Sequence, residues 1–217
     1  MTPPSHLRYV IKVCGVTTEA DALTAAEAGA NAVGLNFWPR SPRYISLRQA
    51  AKISQALPDS VLRVGVFVNP SIEDLMRTAA ESNLDVVQIH GSMPSGQIAE
   101  LRIWKAAAVD SSFSSDALAL DGVEAFLLDS PAPKYGGSGR TFEWSRVTNI
   151  RVPFLLAGGL DGSNVREAIG IVKPWGVDSC SKLESAPGKK DRQKIREFVE
   201  AAERAFQALA EVSEFVR

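Results

Sequence analysis

The chain has 217 residues, 45% hydrophobic and 23% charged, with a formal net charge of −1. That length fits one large domain with a substantial core, and the near-zero charge excludes an overall basic field for nucleic acid or an acidic membrane surface. Two cysteines, Cys14 and Cys180, make neither a disulfide framework nor a metal-ligand spacing, and no apolar run reaches signal-peptide or membrane-spanning length, so a cytoplasmic protein is expected.

Short apolar runs alternate with helical patterns along the chain. The first run, YVIKVC at 9–14, ends on Cys14; Thr18 with Asp21 then makes a capping-box-like helix start, and Gly29 is its stop. NAVGLNF at 31–37 precedes a helix opened by Ser46 with Gln49, and VLRVGVF at 61–67 precedes one opened by Ser71 with Asp74. DVVQIH (85–90), RIWKAA (102–107) and AFLLD (125–129) follow, and the serine-rich stretch 108–122 is expected to hold a helix on the strength of the repeat alone. VPFLLA (152–157) leads to a helix with Ser163 or Asp161 as its cap, Val165, Ala168, Ile169 and Val172 on one face, and Gly170 limiting its end. After WGVDS (175–179), the residues Ile195, Phe198, Val199, Ala202, Phe206 and Leu209 form the stripe of a last helix.

Runs this continuously apolar suit parallel strands buried on both faces. Eight strand–helix units without a linker-like break predict one α/β domain over 1–217, a (β/α)8 TIM barrel. A doubly wound open sheet is the rival, but no GxGxxG follows the first strand.

Barrel active sites lie at the C-terminal ends of the strands. Those ends carry Cys14, Asn36, Asn69, Gln88 with His90, Lys105, Asp129, Gly158–Gly159 and Ser179–Cys180–Ser181. Paired glycines let backbone N–H groups approach a ligand, and the loops after strands seven and eight often hold phosphate. The stretch 130–144 after Asp129 has no helix or strand pattern and is long enough for a functional lid. On this reading alone, Cys14 is either a small buried hydrophobe or a reactive thiol.

Seven segments bear on that choice: KVCGVT (12–17), FWPRSPRYIS (37–46), VGVFVN (64–69), VQIHG (87–91), LLDSPAPKYGGSGRTFEW (127–144), LAGGLDGSNVREAI (156–169) and GVDSCSKLESAPGKKD (176–191). Together, in order and over nearly the whole chain, they resemble the phosphoribosylanthranilate isomerase family of tryptophan biosynthesis. The resemblance implies an Amadori rearrangement of N-(5-phosphoribosyl)anthranilate without cofactor or metal, with Cys14 as general base and Asp129 as general acid. It further implies that Arg43 pairs with the substrate carboxylate, that Gly158, Gly159, Cys180 and Ser181 bind phosphate, and that His90 supports the site. The expected partner is thus a small phosphosugar, with no nucleic acid or membrane, and the chain is a monomer or homodimer.

These residue types suit that chemistry. A buried aspartate is raised from roughly 3.9 and can protonate a ring oxygen, while a modestly acidified thiol can remove a carbon-bound proton. One segment departs from the pattern. The family's SSGVE is CSKLE here, which puts Cys180 in a serine position and Lys182 in a glycine position. Cys180 is therefore expected to act through its backbone N–H, and Lys182 either pairs with phosphate or points to solvent. The related histidine-pathway isomerase uses paired aspartates on strands one and five, where this chain has Cys14 and Lys105. A phosphosugar sensor without turnover would retain the AGGL segment but lose Cys14 or Asp129.

Overall fold

All eight apolar runs fold as strands in the computed structural model, which describes residues 7–95, 98, 101–131 and 141–215. They are β1 Val10–Val13, β2 Ala32–Asn36, β3 Leu62–Val68, β4 Val86–His90, β5 Arg102–Ala108, β6 Ala125–Asp129, β7 Phe154–Leu156 and β8 Gly176–Ser179. Neighbours pair in parallel in chain order. β8 then closes on β1 with Val10 opposite Gly176 and Val13 opposite Ser179, giving a closed barrel.

Side chains alternate between the two faces of each strand. One set, including Val10, Val64, Val86, Trp104, Leu127 and Leu155, fills the barrel interior. Trp104 is fully buried there and meets Trp175 edge-on, with ring centroids 5.8 Å apart. The other set, including Ile11, Val33, Leu128 and Val177, packs outward with Ile53, Ile169 and Phe198 from the helices.

The helices are α1 Glu19–Glu27, α2 Leu47–Ala56, α3 Ile72–Glu81, α4 Val165–Val172 and α5 Arg192–Phe215. Thr18, Ser46 and Ser71 cap the first three as predicted, each hydroxyl accepting from the N–H three residues on, at 3.1, 3.3 and 3.1 Å. Gly29 follows α1 with φ +103°.

Three expectations are corrected. The N-cap of α4 is Asn164, because Asp161 and Ser163 are used within the preceding turn: Asp161 Oδ1 accepts from the Ser163 N–H and hydroxyl. Gly170 lies inside α4, which ends at Lys173 in the left-handed region, φ 51°. The stretch 108–122 forms only a short 3-10 turn at Ser115–Ala117. Its polar side chains bond locally, with Asp110 Oδ1 accepting from the Ser112 N–H and hydroxyl, and such bonds compete with a helix. A second 3-10 turn, Trp144–Val147, follows β6, so the eight strands carry five described α-helices rather than eight. Between β8 and α5 a short antiparallel hairpin, β9 Glu184–Ala186 with β10 Lys189–Lys190, brings Glu184 and Lys190 together at the rim. No described helix is long and apolar enough to cross a membrane.

Candidate active site

Strand parity places Lys12 and Cys14 on one face of β1, toward the barrel axis. Lys12 is fully buried, and the β1–β8 register sets it opposite Asp178, whose Oδ1 lies 2.7 Å from its Nζ. Beside them on β2, a Cβ at Gly34 would lie 2.7 Å from the Cys14 sulfur, so the bare glycine makes room for the thiol. Cys14 opens into a cavity at the C-terminal rim that is also lined by Trp38, Arg43, Gln88, His90, Asp129, Asp178 and Cys180.

Cys14 and Cys180 are both free and line the same cavity. The neighbouring Cys180 thiol and then the Lys12 ammonium hold Cys14 below the ordinary thiol range, against the opposing effect of burial. The Cys14 thiol, with burial, pushes Cys180 well above it. Gly15, φ +69°, turns the chain between these groups; a Cβ there would meet the Arg43 side chain and the Cys180 sulfur.

Asp129 ends β6 on the far side of the cavity. Burial, reinforced by the Asp178 carboxylate, pushes its carboxyl up to about 6, although the Ser130 N–H donates to it at 2.7 Å. Burial and then the Lys12 and Lys105 charges push His90 down to about 4, so its ring is neutral near pH 7. His90 Nε2 accepts from the Gln88 amide at 2.9 Å, while the buried Oε1 of Gln88 has no hydrogen-bond partner among the described residues.

Arg43 reaches the rim from the loop after β2. Its Nε and Nη2 donate to the two oxygens of Glu184 at 2.7 and 2.8 Å, and Lys190 Nζ donates to the same carboxylate at 3.1 Å. That arrangement leaves Nη1 for another acceptor. After β7, Gly158 and Gly159 take φ +90° and +64°, a shape that favours glycine. No described residue accepts from the backbone N–H of Gly159, Cys180 or Ser181. Lys182 is half exposed, with Nζ 4.0 Å from Asp161 Oδ2.

The predicted residues therefore converge unevenly. Cys14, Arg43, His90, Asp129 and Cys180 line one cavity, and Asn36 and Gln88 join them. The predicted phosphate residues Gly158, Gly159 and Ser181 are not among its lining, and neither are Lys105, Asn69 and Ser179. Lys105 donates to the Gly91 carbonyl, Asn69 Oδ1 accepts from Ser92 N–H, and Ser179 donates to the Leu160 carbonyl. Most of the predicted lid at 130–144 falls on 132–140, outside the described residues. Sequence reasoning missed Lys12 and Asp178, although a lysine in an apolar strand two places before Cys14 was a visible signal. Missed as well was that the Cys180 side chain, and not its backbone alone, faces the site. Among the described residues no cluster of side chains is suited to holding a metal.

The family model for N-(5'-phosphoribosyl)anthranilate isomerase matches residues 11–201. An N-(5'-phosphoribosyl)anthranilate isomerase from Solibacter usitatus is 46% identical, covering 92% of this chain and 100% of that protein. The crystal structure of phosphoribosyl anthranilate isomerase from Thermotoga maritima superposes with a TM-score of 0.83 at 42% identity, over 90% of this chain and 98% of that one. A crystal structure of such an isomerase in complex with reduced 1-(o-carboxyphenylamino)-1-deoxyribulose 5-phosphate gives 0.80 at 38% identity, with the same coverage. This closed barrel belongs to the phosphoribosylanthranilate isomerase family of tryptophan-biosynthetic enzymes.

Proposed function

We propose that the chain converts N-(5-phosphoribosyl)anthranilate into 1-(2-carboxyphenylamino)-1-deoxyribulose 5-phosphate, with Asp129 as general acid and Cys14 as general base. The observation that carries the assignment is that these two side chains, from β6 and β1, face one cavity with opposite tuning. Asp129 is held up to about 6 and Cys14 is held below the ordinary thiol range. Each group is thereby shifted toward neutrality, the acid upward and the base downward, where proton transfer in both directions is easiest.

The steps follow from that placement. Asp129 gives its proton to the ribose ring oxygen as the bond from that oxygen to C1′ breaks, leaving an iminium between C1′ and the anthranilate nitrogen. Cys14 takes the proton from C2′, and that electron pair neutralises the iminium to give an enolamine. Ketonisation moves the C2′ hydroxyl proton to C1′, so substrate and product have the same composition, and exchange with solvent returns the proton to Asp129 and removes it from Cys14. Arg43 binds the anthranilate carboxylate through the guanidinium edge that Glu184 leaves available. The N–H groups of Gly159, Cys180 and Ser181, with Gly158 shaping the turn, hold the phosphate. The unpartnered Gln88 Oε1 can accept from a sugar hydroxyl, and neutral His90 orients that amide.

The test follows loss of substrate fluorescence, with phosphoribosylanthranilate generated in situ, for wild type, Cys14→Ser and Asp129→Asn. Each substitution should lower kcat by about 10²–10⁴-fold in a folded protein. Full activity in both variants refutes the acid–base assignment. A folded wild type that binds a product analogue without turnover supports the sensor instead.

A further inference from the structure

The Arg43 guanidinium is held from behind. Arg43 lines the cavity, whereas Glu184, which holds it, and Lys190, which holds Glu184, do not. We propose that Glu184 and Lys190 are positioning residues that set the protein's selectivity for a substrate carrying a ring carboxylate. The proposal rests on the reading of Arg43 as the group that binds that carboxylate.

Nε and Nη2 of Arg43 donate to separate oxygens of Glu184, at 2.7 and 2.8 Å, so one edge of the planar group is fully used. The adjoining edge, formed by Nη1 and the second hydrogen of Nη2, meets no acceptor among the described residues. The Arg43 side chain is only 12% exposed, and an edge left open there suits a carboxylate arriving through the cavity. Glu184 is fixed in its turn. Its side chain is buried, its carbonyl accepts from Lys194 Nζ at 2.8 Å, and its Oε1 also accepts from Lys190 Nζ at 3.1 Å. A flexible arginine restrained in this way has less freedom to lose when the substrate binds.

Lys190 extends the restraint toward the other end of the substrate. Its Nζ donates to the Cys180 carbonyl at 2.9 Å, and that carbonyl belongs to the same peptide unit as the Ser181 N–H assigned to the phosphate. The peptide is trans, so its N–H points opposite to its carbonyl, and Lys190 fixes the direction in which Ser181 donates. One buried ion pair thus ties the carboxylate grip to the phosphate grip. The hairpin that carries it is pinned as well. Thr17 Oγ1 donates to the Gly188 carbonyl at 2.8 Å, and a Cβ at Gly188 would lie 2.8 Å from the carbonyl oxygen of Pro42, the neighbour of Arg43.

The experiment measures the affinity of two stable ligands by calorimetry. One is reduced 1-(2-carboxyphenylamino)-1-deoxyribulose 5-phosphate, and the other is its counterpart made from aniline, which lacks the carboxylate. Wild type, Glu184→Gln, Glu184→Gln with Lys190→Met, and Arg43→Met are compared, and kcat and KM for phosphoribosylanthranilate are taken in parallel. Glu184→Gln should raise KM, and Kd for the carboxylate ligand, about tenfold or more with kcat little changed, because the contact serves ground state and transition state alike. The aniline ligand should bind as it does to wild type. The double variant removes one buried anion and one buried cation together, so it carries the same comparison where Glu184→Gln alone does not fold. It should keep the selective loss and add a weakening shared by both ligands, since the Ser181 donor is no longer fixed. An unchanged ratio of the two affinities in Glu184→Gln, beside a changed ratio in Arg43→Met, overturns the proposal and leaves the reading of Arg43 standing. An unchanged ratio in Arg43→Met removes that reading, and the proposal falls with it.

Discussion

Asp129 is placed where its ionised form is disfavoured. Its carboxyl is held up to about 6, against an ordinary value of 3.8, because burial and the nearby Asp178 carboxylate oppose the charge. Between those two values the folded chain binds this proton more tightly than the unfolded chain does. The stabilising contribution of protonated Asp129 is therefore complete below pH 3.8 and is lost as pH rises through about 6. Asp129→Asn removes the charge, so it should raise stability at pH 7 by on the order of 1–3 kcal/mol and change little near pH 4. Urea denaturation of both proteins at the two pH values checks this. In the wild type the same proton should set the alkaline limb of kcat/KM, with activity falling above about pH 6 as Asp129 ionises.

At the scale of elements, the helix starts were legible because a cap is a local device. Thr18, Ser46 and Ser71 each bond an N–H three residues away, and nothing distant intervenes. The turn before α4 was misread because the Asp161 carboxylate is used within its own turn, accepting from Ser163 N–H, while Asn164 takes the cap position and its amide oxygen reaches back to Asp161 N–H. Gly170 was misread for a similar reason. A glycine signals a stop only where the backbone needs a positive φ, and here Lys173 takes that conformation instead. Gly170 sits in the helix interior, and a Cβ there would meet nothing within 4 Å. Gly170→Ala should accordingly stabilise the protein by roughly 0.5–1 kcal/mol, a gain that a thermal melt at constant buffer detects. A lower melting temperature would mean that α4 is under a restraint its backbone does not show.

For the whole molecule, barrel closure decides what the strands enclose. Trp104 anchors the interior below the cavity, and Trp104→Ala should cost about 3–5 kcal/mol in chemical denaturation, since so large a void in a closed barrel collapses poorly. The order of the strands, the barrel they form and the rim positions of Cys14 and Asp129 were determined by the sequence by itself, whereas the helix expected over 108–122 was not. Those features follow from residue periodicity and from which end of a strand faces the site. Tertiary structure alone decided which charges meet. Lys12 finds Asp178 across 166 positions, and Arg43 finds Glu184 across 141. Cys14 finds Cys180 by the same closure of β8 onto β1. The physical reason is that a proton's affinity for a buried sulfur or carboxyl depends on distances to charges and on exclusion of water, and chain order encodes neither until the barrel closes.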